Sequence, residues 1–389
     1  MEKGVFSMLS WFRAETVKNA VVMVAGAGAL GNEVLKNLAL FGVGNIVIVD
    51  FDTIEHSNLT RSVLFRAEDA DRKLYKADVA AKRIKEINPD IHVTPLCGNL
   101  FTDVGLGLYR QMDVIIGCLD NLEARVFLNR LCFRAGKSWI DGAIGDLEGT
   151  VSVYQSGKNC YECNLTDEEK DDLNIRMSCA GVVKMNESAG RVATTPVSAS
   201  IIAAVQVQEA MKIIHEESAG PGIFSTLTGK LFVYEGMHPS VDIFNFSFHN
   251  PECNAHEQWS PIIEMPELGA DTTVSQAIDI IKKNLAVSFV ELNLINNKFV
   301  DRIVSRSSDK CFLPMLPESK IPDFINYNEE LRSIQISEGL YQNDFENIDH
   351  TFPYQHLTLN QIGIPYFDVI RISTEKEVLY VELSKDKKI

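Results

Sequence analysis

Two short spacings in this chain suit a metal ion. Cys160 and Cys163 stand in C-Y-E-C, and Cys253 and His256 in C-N-A-H. Three thiolates and one imidazole make a closed tetrahedral zinc set with no open position for a substrate, so the expected Zn²⁺ is structural. A second cluster suits phosphate. Gly26, Gly28 and Gly31 form G-x-G-x-x-G. In such a run the first glycine permits a tight turn, the second lets phosphate approach the backbone, and the third allows close helix–strand packing. The N–H groups of the helix that follows point at the anion. Asp50 ends the next apolar run, where a carboxylate can bond a ribose hydroxyl. This much fits NAD, FAD or ATP equally.

The residues after Asp50 separate these ligands. They read DFDTIEHSNLTR and carry Asp52, Asn58 and Arg61. A simple dinucleotide site has no use for that pattern; a site that neutralises a triphosphate does. Lys76 opens the next helical pattern, and Asp120 and Asn121 follow the apolar run VIIG in CLDN. Both places fall at the carboxyl edge of strands, where doubly wound sheets bind ligands. Asp120 there either holds Mg²⁺ against phosphate oxygens or caps the helix from Leu122, and the two roles are compatible.

The elements that must position these groups are legible. VVMVA at 21–25, a glycine turn, a helical pattern to Leu40 and IVIVD form a βαβ unit. Apolar runs at Val93–Leu96 and Val114–Gly117 alternate with helical patterns at Tyr75–Ile87 and Leu122–Ala135. The expected fold class is therefore α/β, a Rossmann-like doubly wound, mostly parallel sheet. Beyond it come a strand, GTVSVY, a long polar loop at 164–195, and a helix at 197–214. Strands are expected at Lys230–Glu235 and Asp242–Phe248. A boundary is expected near 258–270, dividing a domain at 1–260 from a smaller α/β domain at 265–389. In the latter, Thr273 and Gln276 have capping-box spacing and VLYVEL is a final strand.

The run GAGALGNEVLKNLALFGVGNIVIVDFDTIEHSNLTRSVLF, then KADVAAKRIKEINP, CLDNLEARVFLNRLC and WIDGAIGDLEGTVSVY, resembles the ThiF/HesA/molybdopterin-synthase adenylyltransferase superfamily. Ubiquitin-activating enzymes belong to the same superfamily. The resemblance covers roughly residues 10–258. It implies that Gly28, Asp50, Asp52, Asn58, Arg61, Lys76 and Asp120 line a MgATP site, with Arg61 and Lys76 on the phosphates and Asp120 on the metal. It implies a homodimer, and adenylation of the C-terminal glycine of a ubiquitin-like or sulfur-carrier β-grasp protein. It also suggests Cys179, in RMSCAGVV, as the thiol that takes the activated carboxyl group and passes it onward, for instance to a conjugating enzyme. Cys311 is the alternative nucleophile; Cys97 and Cys132 read as core thiols. Two departures stand out. The family commonly has two C-x-x-C pairs where this chain has a histidine, and its N-terminal arginine is matched here only by the displaced Arg13.

Composition limits the other readings. A net charge of −16 argues against nucleic acid as main partner. The apolar run at 197–214 contains Gln206, Gln208, Glu209 and Lys212 and reads as a buried helix, with no membrane span and a cytoplasmic setting expected. An NAD-dependent oxidoreductase leaves Arg61, Lys76 and the Cys/His pairs without a purpose. An inactive scaffold subunit leaves the whole pocket without one.

Overall fold

The computed structural model describes residues 5–170, 173, 194–220, 222–245, 250–295, 297–306, 308, 310–337 and 339–385. Cys179 and most of the loop expected at 164–195 lie outside the described residues. The first sheet contains β1 (Val21–Ala25), β2 (Asn45–Val49), β3 (His92–Leu96), β4 (Val114–Gly117), β5 (Trp139–Ile144), β6 (Glu148–Tyr154), β7 (Lys230–Glu235) and β8 (Ser240–Asn245). Their order is β3-β2-β1-β4-β5-β6-β7-β8. The strands β3 to β5 in that order pair in parallel, and β6, β7 and β8 continue antiparallel.

The strands read as unbroken apolar runs because both faces are covered. Along β1, Val22 and Val24 face one side and Met23 and Ala25 the other. The first side packs α1 (Ala14–Asn19), α2 (Ala29–Phe41), α4 (Lys76–Ile87) and α7 (Pro196–Ala219), with the short α3 (Ala67–Asp71) at its margin. The second side packs α5 (Leu106–Arg110) and α6 (Leu122–Ala135). Helix α7 is long and apolar enough to cross a membrane by length and composition. Its Gln206, Glu209 and His215 are nevertheless buried in this protein. Gln206 donates to the Gly117 carbonyl at 2.9 Å, and Glu209 accepts the Leu227 N–H at 2.8 Å. That is how a helix with polar groups sits inside a core.

The second unit has a five-stranded sheet and a four-stranded one. Its strands are β9 (Ile262–Met265), β10 (Val290–Asn293), β11 (Phe299–Ser305), β12 (Cys311–Phe312), β13 (Leu316–Pro317), β14 (Leu340–Phe345), β15 (Asn347–Ile348), β16 (Val369–Thr374) and β17 (Val378–Leu383). Its helices are α8 (Val274–Leu285), α9 (Ile321–Asn326) and α10 (Glu329–Ser337). The larger sheet runs β15-β10-β16-β17-β9. Strand β9 pairs with β17 ahead of residue 265, where the sequence places the start of this unit. The Thr273–Gln276 capping box forms at the start of α8.

The two units share apolar core. Val369 and Trp259 join the cluster around α5 and α6, and the Trp259 ring stacks on Tyr380 at 4.7 Å between centroids. Gly105 and Gly107 let the backbones meet: a Cβ on Gly107 would lie 2.4 Å from the Phe367 carbonyl oxygen. Arg110 pairs with Glu382, and the Asp368 carboxylate accepts the Leu106 N–H at 2.9 Å. Burial pushes the Asp368 carboxyl up to about 6, against the N–H groups of Leu106 and Val369 and the charge of Arg134, which pull it down. An acid whose pKa is raised on folding holds its proton more tightly in the native state. Its contribution to stability is complete below its unfolded pKa near 4 and is lost as pH rises through 6. Asp368→Asn should therefore flatten the wild type's fall in stability over that window, by roughly 2 kcal/mol. Urea unfolding midpoints at pH 4.5 and pH 7 check this; parallel shifts in both proteins would contradict it.

Candidate functional site

The sheet order reverses between β1 and β4, and the glycine turn lies there. Gly26 takes a φ of +98°, a left-handed value that a side chain rarely adopts. A Cβ on it would meet the Cys118 carbonyl oxygen at 2.4 Å, so the turn packs directly on the end of β4. A Cβ on Gly31 would lie 2.0 Å from the Gly26 carbonyl oxygen, which closes α2 onto the turn. Gly28 has nothing within 4 Å on its Cβ side. That open space, at the N-cap of a 13-residue helix, suits a phosphate.

Asp50 follows β2 directly. Its Oδ2 accepts the Ala27 N–H at 2.7 Å and its Oδ1 the Asp52 N–H at 2.8 Å. Desolvation pushes its carboxyl up, and Lys76 and these N–H groups hold it back. It braces the glycine turn while each oxygen keeps an acceptor site. Lys76 opens α4 and its Nζ lies 2.6 Å from Asp52 Oδ2; its side chain is 12% exposed. Between them runs a short strap. Glu55 and Asn58 cap its turn reciprocally, with Asn58 Oδ1 accepting the Glu55 N–H at 2.9 Å. Arg61, half-buried, donates to the Ser57 carbonyl at 3.1 Å. Asp120 is exposed just past β4, and Asn121 donates to its Oδ1 at 3.1 Å. The cap of α6 is Asn121, whose Oδ1 accepts the Ala124 N–H at 2.8 Å. That leaves Asp120 exposed at the strand edge, and the capping role expected of it belongs to its neighbour Asn121.

Sequence reasoning missed Asn32. Its buried side chain donates to the Ala27 and Gly28 carbonyls at 2.7 and 2.9 Å and accepts the Leu64 N–H at 2.9 Å. One amide thus locks the glycine turn to the strap that carries Arg61. The available signal was an asparagine within an otherwise apolar helix. Arg13 stands elsewhere. Its N–H donates to His215 Nε2 at 3.1 Å, near the end of α7. The other end of α7 is the one near the crevice, where Ser198 donates to the Gly145 carbonyl. Arg13 therefore does not line the crevice of its own chain.

The four expected metal ligands come together. Cys160 Sγ lies 3.9 Å from Cys253 Sγ, and Cys163 Sγ 3.4 Å from His256 Nε2, with all four donor atoms within 4.8 Å of one another. Tetrahedral zinc with bonds of about 2.3 Å to sulfur and about 2.0 Å to nitrogen requires edges of about 3.8 and 3.5 Å. The donor set fits. The Phe133 ring stacks on His256 at 4.9 Å and shields the cluster. Of the other thiols, Cys132 is buried as expected, but Cys97 is exposed at the end of β3 instead of joining the core. Desolvation and the adjacent Asp78 carboxylate push its thiol up to about 11, far from a reactive thiolate. Cys311 is exposed on β12 in the second unit.

Residues 8–255 match the ThiF family model. The chain is 32% identical over 228 residues to the molybdopterin-synthase adenylyltransferase of Escherichia coli, covering 57% of this chain and 82% of that one. It is 30% identical over 245 residues to the sulfur carrier protein adenylyltransferase of Thermus thermophilus, covering 61% and 83%. It is 37% identical over 159 residues to the SUMO-activating enzyme subunit uba-2 of Caenorhabditis elegans, covering 40% of this chain and 27% of that one. The chain spans only 22% to 49% of the length of the first curated relatives it matches. The structure of Escherichia coli MccB with ATP superimposes with a TM-score of 0.50 at 22% identity, over 63% of this chain and 68% of that one, a likeness of fold.

Proposed function

The chain belongs to the ThiF family, and from that premise we propose that it adenylates the C-terminal glycine carboxylate of a ubiquitin-like or sulfur-carrier protein. The observation that carries this reading is the linked set at the ends of β1 and β2: the open side of Gly28, the Asp50 carboxylate on the Ala27 N–H, and Lys76 held by Asp52. Asp50 orients the ribose. The N–H groups of α2, with Lys76 and Arg61, hold the phosphates and take up the charge that develops as pyrophosphate leaves. Asp120 would hold a magnesium ion, which when bound neutralises phosphate oxygens. A carrier carboxylate oxygen attacks the α-phosphorus, the bond to the β-phosphate oxygen breaks, and an acyl adenylate forms. The Cys179 thiolate then attacks the acyl carbon and AMP departs, leaving a thioester. The enzyme acts as a homodimer.

ATP–pyrophosphate exchange tests the reading. Exchange should rise at least about tenfold, a positioning gain, when a cognate β-grasp carrier with an intact C-terminal glycine is added. A carrier lacking that glycine should give none. Exchange that ignores every carrier would defeat the proposal. With Cys179→Ala, exchange should persist while the thioester band on a non-reducing gel disappears. Full onward modification by that variant would favour sulfur-carrier activation without an enzyme-bound thioester.

A further inference from the structure

Arg125 touches none of the groups assigned to the crevice, yet it grips the peptide that carries Asp120. Its Nη2 donates to the Leu119 carbonyl at 2.7 Å and to the Gly142 carbonyl at 3.4 Å, and its Nε to Asp141 Oδ1 at 3.1 Å. Leu119 immediately precedes Asp120, whereas Asp141 and Gly142 belong to β5. One guanidinium thus ties the loop after β4 to the neighbouring strand. Asp141 is only 7% exposed, and a buried ion pair costs several kcal/mol in desolvation that an apolar pair avoids. What the pair supplies is geometry: a planar fork with fixed N–H directions, which neither lysine nor an apolar side chain reproduces.

Tyr161 and Glu162 are the two residues between Cys160 and Cys163. The Tyr161 N–H donates to Asn129 Oδ1 at 3.0 Å, and Arg130 pairs with Glu162 at 2.7 Å. The metal knuckle is therefore bound along α6, the helix that begins just after Asp120.

We propose that Arg125 is a positioning residue for Asp120, holding the loop after β4 against β5. This rests on reading the crevice as a magnesium–ATP site. The test is ATP affinity by calorimetry, without added divalent cation and with Mg²⁺, for wild type, Arg125→Lys, Asp120→Asn and the double variant. Arg125→Lys should match wild type without Mg²⁺ and lose about tenfold of the gain that Mg²⁺ brings, as expected for a lost charge-assisted fork. The double variant should bind no more weakly in Mg²⁺ than Asp120→Asn alone, since both losses act through one carboxylate. A wild-type Mg²⁺ response in Arg125→Lys, losses that add, or equal weakening with and without Mg²⁺ would overturn the assignment. Should Arg125→Lys not fold, Asp141→Asn keeps the shape of the side chain that holds the Arg125 Nε and should lower the same Mg²⁺ gain about two- to threefold, the effect of a single hydrogen bond. An unchanged Mg²⁺ response in that variant overturns the assignment. A wild-type chain that binds no ATP under either condition strikes the crevice reading itself, and the proposal with it.

Discussion

Lys76→Ala should lower carrier-stimulated pyrophosphate exchange by two to three orders of magnitude, roughly the loss seen when one preorganised donor to a developing anion is removed. Lys76 has the geometry for so large an effect. It opens α4, its side chain is largely covered, and its ammonium is held by Asp52, two residues past Asp50. Removing it also leaves Asp52 as an uncompensated negative charge beside the triphosphate. Asp52→Asn should cost far less, since it only frees Lys76 from its resting partner. Thermal unfolding should change little in either variant, because this ion pair is half exposed on the Asp52 side and contributes at most about 1 kcal/mol. A Lys76→Ala protein within threefold of wild-type exchange would mean that the triphosphate lies elsewhere.

The second large effect concerns the knuckle. The protein should carry one equivalent of zinc, and Cys163→Ser should lose it and unfold about 10 °C lower. The magnitude follows from loop closure. A clamp joining Cys163 to His256 closes a loop of roughly 90 residues, worth about 4 kcal/mol in chain entropy, and each kcal/mol shifts the midpoint of a domain this size by a few degrees. The ligands also fix Tyr161 and Glu162 against α6, so the loss should spread beyond the cluster. Metal analysis with differential scanning fluorimetry provides the check. A metal-free wild type of unchanged midpoint after chelation would remove the clamp from the account.

Much of this was legible in the chain itself. The βαβ unit, the edge placement of Asp120 and the two Cys/His pairs follow from periodicity and spacing, because each pattern is a few residues long, although the two pairs meet across 93 positions. Strands β1, β4 and β7 and helix α6 lie where their patterns place them. What escaped depends on contacts between residues distant in sequence. Asn32 bonds Leu64, Arg125 bonds Asp141, and Arg13 bonds His215 across 202 positions. No local pattern announces such partners. Cys97 reads as a core thiol because it ends an apolar run, but the residue after a strand's last paired position emerges at the sheet edge. The seating of the second unit on α5 and α6 was equally invisible, because Gly105 and Gly107 show their purpose only against the backbone of 366–368.

Every role proposed above requires that the crevice at the switch point between β1 and β4 take ATP. Titration calorimetry of the wild-type protein with MgATP, ADP, NAD and NADH addresses it most directly. MgATP should bind saturably at one site per chain, weakened at least about tenfold by Arg61→Ala through the lost charge-assisted contact, and NAD and NADH should give no heat. Saturable binding of NADH with no response to MgATP would contradict it.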